Sequence, residues 1–156
     1  MELSTREDIE APLDQVFGLA TSFERLERQA MRHGIEVTRV SPDGATPDQG
    51  LSWRASFYYR GKAREADIAL TRFDPPNTMV YTATSGGLDA VTTIDFVPLS
   101  PMRTRVGLKV EVLPRTLSAR LLVQSLKLAR GNIEKRFSIK IAEYASEIET
   151  RLNRSA

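Results

Sequence analysis

The chain has 156 residues, 41% hydrophobic and 27% charged, with a net charge of +2, a profile that excludes a disordered or membrane-embedded protein and fits a single domain over residues 1–156 with a substantial core. No run approaches the ~20 apolar residues that cross a bilayer, and MELSTREDIEA at the N-terminus carries no signal-peptide pattern, so a cytoplasmic protein without stable membrane insertion is expected. The absence of cysteine excludes a disulfide framework, a thiolate nucleophile and a zinc–sulfur site.

The first element is an alternating strand, ELSTREDIEA, closed by Ala11-Pro12, with proline suited to the start of a helix. Val16, Phe17, Leu19 and Ala20 give the short helix that follows an apolar side. Thr21 with Glu24 matches a capping box, which predicts a second helix carrying Phe23, Leu26, Ala30 and Met31 and ending at Gly34.

From Ile35 the period changes to two. IEVTRV is a strand, SPDGATPDQG a loop, and LSWRASFYYR a strand with Leu51, Trp53, Ala55, Phe57 and Tyr59 on one face. Gly61 marks a tight hairpin, and KAREADIALTRF returns as the partner strand until DPPN breaks it. Either parity is open for that strand: Arg64, Ala66, Ile68 and Leu70 inward, or Glu65 and Asp67. TMVYTATS and LDAVTTIDFV follow, separated by a Gly-Gly turn, and PLSPM reads as the next turn. RTRVGLKVEVL alternates most cleanly, with Val106, Leu108, Val110 and Val112 on one face.

After Pro114 the pattern is helical, with Leu122, Leu126, Ala129, Ile133, Phe137, Ile141, Tyr144, Ile148 and Leu152 on one stripe. One helix from Leu117 to Leu152 would run roughly 50 Å at ~1.5 Å per residue. The surface long enough to receive it is the concave face of a curled antiparallel sheet of six or seven strands. Gly131 interrupts this stretch. It either admits a strand or ligand to the helix backbone, marks a bend, or faces solvent and is tolerated.

No phosphate loop, dinucleotide fingerprint or nucleophile elbow is present. His33 is the only histidine and reads as a helix C-cap, so no metal or other cofactor is expected. The basic stretches RTR and RGNIEKR read as solvated faces of a strand and a helix, and no nucleic-acid partner is expected.

In this order, IEAPLDQVFGLATSFERLE, RFDPPNTMVYTA and TIDFVPLSPMRTRVGLKVEV resemble the START-like, helix-grip superfamily, of the polyketide cyclase/dehydrase type. The resemblance covers essentially the whole chain. It implies an α+β fold in which a curved antiparallel sheet wraps a long C-terminal helix, with two short helices after the first strand. It also implies a cavity between sheet and helix for a small hydrophobic molecule. One departure is that ERLERQAMRHG lacks the tryptophan many relatives carry near the second helix; the sole tryptophan is Trp53.

Strand parity and the helical stripe nominate the cavity's walls: Trp53, Phe57, Tyr59, Tyr81, Thr92, Ile94 and Phe96, then Leu108 and Val110, and from the helix Leu126, Ile133 and Phe137. Arg64 is a candidate polar anchor for an anionic head group. Three functions compete. The leading one is a carrier or sensor of a lipid, polyketide or aromatic molecule, the default for an apolar pocket with few polar groups. The second is a cyclase or dehydratase using Tyr59, Tyr81, Arg64 or Asp67 to steer protons. The third is a membrane- or protein-interaction module using LSARLLVQSLKLA.

Overall fold

A computed structural model describes residues 1–154. The chain folds into a seven-stranded antiparallel sheet in the order β1-β7-β6-β5-β4-β3-β2. The strands are β1 (Glu2–Ile9), β2 (Glu36–Arg39), β3 (Ser52–Tyr59), β4 (Lys62–Asp74), β5 (Thr78–Ser85), β6 (Leu88–Ser100) and β7 (Arg103–Pro114), with helices α1 (Leu13–Ala20), α2 (Phe23–Arg32), α3 (Leu117–Leu128) and α4 (Arg130–Arg154). From β2 onward each strand pairs with its sequence neighbour. β1 alone pairs at long range, Glu2 opposite Glu111 and Ile9 opposite Thr104.

The tight turns have a backbone reason. Arg60 and Gly61 between β3 and β4, and Gly86 and Gly87 between β5 and β6, all have positive φ, the conformation two-residue hairpins require. PLSPM is not a turn throughout, because β6 continues to Ser100. Pro98 is tolerated there because β5 pairs with β6 only as far as Asp95, so one edge of β6 is free beyond it.

The expected single C-terminal helix is two. Ala129 (φ −104°, ψ 17°) ends α3, and its N–H bonds to the Leu126 carbonyl. The following Gly131-Asn132 pair has weak helix propensity. The break lets α3 pack on β7 while α4 packs chiefly on β1 and α1. Gly131 itself is exposed, and a Cβ there would meet nothing, so it serves no close approach of strand or ligand.

The Thr21 capping box does not form. The Thr21 hydroxyl donates instead to the Phe17 carbonyl at 2.9 Å, closing the end of α1, and Ser22 is the N-cap of α2. His33 caps the C-terminus of α2, and Gly34 follows with φ 81°.

The core lies at one end of the concave face, under α1, α2 and the second half of α4. Ile9, Val16, Met79 and Phe96 are almost fully buried. Phe17 packs edge-on against Phe96 with ring centroids 5.1 Å apart.

Candidate ligand cavity

Between this end of the sheet and the helices lies a cavity of 390 Å³. Every strand contributes to its wall, as do α1, α2 and the second half of α4. On α2, Phe23, Leu26, Glu27 and Ala30 face it together, the i, i+3, i+4, i+7 spacing of one helix side. The lining is apolar apart from Glu7, Glu27, Trp53, Tyr81 and Tyr144.

Glu27 fixes the tryptophan. Its Oε2 accepts from Trp53 Nε1 at 2.7 Å and from Arg39 Nε at 2.9 Å. The Glu27 hydrogen bond raises the Arg39 pKa above the ordinary guanidinium value. Held in this way, Trp53 forms the middle of an aromatic row, 5.9 Å from Phe23 and 6.1 Å from Tyr81 between ring centroids.

On the α4 side, Arg25 Nη2 donates to the Tyr144 hydroxyl at 3.3 Å and to the Leu19 carbonyl at 3.2 Å. Arg25 is buried, with Nε and Nη1 lacking hydrogen-bond partners among the described residues. Glu147 Oε1 stands 3.9 Å from Nη1, an ion-pair distance too long for a hydrogen bond. Burial pushes the Tyr81 phenol up to about 12, with Tyr144 adding to the effect. Tyr144 is also raised by burial, partly countered by Arg25. Both phenols are protonated at neutral pH, and each hydroxyl has a proton it can donate; the Tyr144 oxygen accepts from Arg25.

Of the wall residues expected from sequence, Trp53, Tyr81, Ile94, Phe96 and Leu108 line this cavity. Thr92 and Val110 share their strands and parity but sit one step further along the sheet, paired with each other across β6 and β7. Phe57 and Tyr59 lie towards the β3–β4 hairpin and outside this wall, and Tyr59 is 41% exposed. Leu126, Ile133 and Phe137 belong to α3 and the first half of α4, whereas α4 contributes Ile141, Tyr144, Ala145 and Ile148.

Arg64 takes the inward parity of β4 with Ile68 and Leu70, but its guanidinium lies over the Tyr59 ring at 5.7 Å and outside the cavity wall. Asp67 is exposed and paired with Arg54 at 3.1 Å. Among the lining residues that the sequence did not nominate, the polar ones are Glu7, Glu27 and Tyr144. Glu7 shares inward parity with Leu3 and Ile9, and Glu27 stands four residues after Phe23. Both signals are positional.

Along α3, Ala119 and Val123 are buried, while Leu117, Leu121 and Leu128 are 72%, 61% and 92% exposed. No helix among the described residues is long and apolar enough to cross a membrane.

The model of the family described as polyketide cyclase / dehydrase and lipid transport matches residues 1–138. The chain belongs to that family. No curated protein sequence matches it. Among solved structures, a protein of Thermus thermophilus superposes with a TM-score of 0.67 at 19% identity, covering 100% of this chain and 99% of that one. The Zhui aromatase/cyclase of a Streptomyces species gives 0.66 at 14% identity, covering 97% and 95%. A START superfamily protein of Mycobacterium smegmatis gives 0.57 at 12% identity, covering 90% and 98%. At these identities the likeness is one of fold, and the fold is the helix grip: a curved sheet around a long C-terminal helix. Membership of this polyketide cyclase/dehydrase family fixes the architecture and leaves the chemistry to the cavity's own residues.

Proposed function

We propose that this chain binds a small hydrophobic molecule of lipid, polyketide or aromatic type in the cavity between the sheet and α4, as a carrier or sensor. The observation that carries the reading is the cavity itself. Its 390 Å³ falls within the roughly 300–1,000 Å³ of small-molecule sites, and its apolar wall with a few fixed polar groups matches their make-up.

Native mass spectrometry of the gently purified protein, followed by organic extraction, tests it. A discrete adduct is expected in the wild type. Ile94→Trp, which adds bulk to the cavity wall, should abolish the adduct at a stability cost of about 1–3 kcal/mol. An adduct that survives this filling substitution unchanged would sit elsewhere and defeat the proposal.

The second reading is a cyclase- or dehydratase-type enzyme using the same cavity. It is favoured by Tyr81, a phenol in the cavity wall able to donate to a developing oxyanion. Under this reading Tyr81→Phe removes turnover of a polyketide-like substrate while leaving its binding nearly intact. Tyr59, Arg64 and Asp67 lie outside the wall of this cavity, so the reading rests on Tyr81.

A further inference from the structure

We propose that the occupant of the cavity carries a protonated amine on an apolar body, and that Glu7 and Glu27 select it against a carboxylate or phosphate. This rests on the ligand-binding reading above and adds the charge of the ligand to it.

The argument starts from which polar groups the wall contains. They are two carboxylates, two phenols and one indole N–H, from Glu7, Glu27, Tyr81, Tyr144 and Trp53; no lysine, arginine or histidine lines the cavity. The indole N–H is already given to Glu27. Glu27 uses Oε2 for both Trp53 and Arg39, and its Oε1 receives no hydrogen bond from the described residues. That oxygen is an open acceptor.

Glu7 is the more telling group. It stands on β1 opposite Val106, half-buried on the concave face, where Val106, Leu108 and Ile141 also line the cavity. No described residue makes an ion pair or hydrogen bond with its carboxylate. A carboxylate half-buried beside apolar walls has lost part of its hydration without gaining a protein partner, and an ammonium group supplies both an opposite charge and donors. The row of Phe23, Trp53 and Tyr81 adds aromatic faces, which attract cations.

Two guanidinium groups stand near the wall, and neither lines the cavity. Arg39 is paired with Glu27 at 2.9 Å and offsets part of that charge, which leaves Glu7 as the carboxylate without a cation; Arg25 is engaged elsewhere. It lies behind Tyr144, bonded to that hydroxyl and to the Leu19 carbonyl, with Glu147 beside its other nitrogen. A carboxylate or phosphate entering the cavity would meet the uncompensated charge of Glu7 and find no lysine, arginine or histidine in the wall to receive it. Adventitious binding would point the other way, because the chain's net charge is +2 and its surface attracts anions.

Three probes with the same eight-carbon body decide it: octylamine, octanol and octanoate, titrated at pH 7 and low salt. The readout is the emission of Trp53, the sole tryptophan and part of the wall. Octylamine should bind about a hundredfold tighter than octanoate, and Glu7→Gln should narrow that ratio to about tenfold or less. Glu7 has no protein partner to lose, and the wild-type ratio alone is decisive should the variant fold poorly. Equal binding of amine and carboxylate, tighter octanoate, or binding of octanol alone would overturn the charge assignment and leave the cavity reading standing. No binding of any probe at millimolar concentration would overturn both.

Discussion

The two ends of the concave sheet face are made by the same strands with the same alternation, yet they differ in how they are covered. At one end α1, α2 and the second half of α4 close over the strands, and Met79 and Phe96 are 1% and 2% exposed. At the other, Phe57, Ala83, Ala90, Thr92 and Val110 remain half-buried where α3 and the break at Ala129 provide the cover. Strand parity decides which side chains face inward. Helix placement decides which of those enclose a cavity and which stay wet.

Paired truncations test that contrast most strongly. Phe17→Ala should cost about 3–5 kcal/mol in urea unfolding, the range for a large buried aromatic, since Phe17 is buried against both Phe73 and Phe96. Phe57→Ala should cost no more than about 1–2 kcal/mol, in line with partial burial. Equal losses would mean that both ends are equally closed.

The less-covered end has one tight point of its own. Gly87 has φ +79°, and a Cβ there would come 2.6 Å from the Thr116 side chain, so Gly87→Ala should destabilise by about 1–2 kcal/mol. Alkaline titration sharpens the picture at the closed end. Tyr81 ionises at about 12 in the fold against an ordinary value of 10.0, so its contribution is complete below pH 10 and is lost as the pH rises through about 12. Unfolding free energy should fall across that window in the wild type and fall less in Tyr81→Phe. The smallest effect belongs to the helix break. Gly131→Ala should stabilise by about 0.5–1 kcal/mol, because the added methyl meets nothing.

Much of the architecture was legible in sequence because alternation is a local property. The inward residues of β3, β6 and β7 could be read by counting in twos, and the hairpins by their glycines. The β4 parity could not, because Arg64 and Asp67 compete for the inside on equal terms until the pairing with β3 sets Ile68 inward beside Trp53. The site was less legible because it depends on which helix covers which stretch of sheet. Nothing local in Ile133 or Phe137 distinguishes them from Ile141 or Tyr144, which lie on the same stripe two turns later. Thr21 misled for a related reason: its hydroxyl serves equally well at the end of one helix or the start of the next.

The pairing of β1 with β7 also bears on how the chain reaches this state. β1 has β7 as its strand neighbour, Glu2 opposite Glu111 and Ile9 opposite Thr104, so it cannot pair until the seventh strand is in place. The β2–β7 meander can zip by local hairpins, while docking β1 closes a loop of about a hundred residues and comes late. Because Glu7 and Ile9 belong to that strand, part of the cavity wall and its unpaired carboxylate depend on this long-range closure. In pulsed hydrogen exchange, the β1 amides should therefore gain protection after those of β3 through β6.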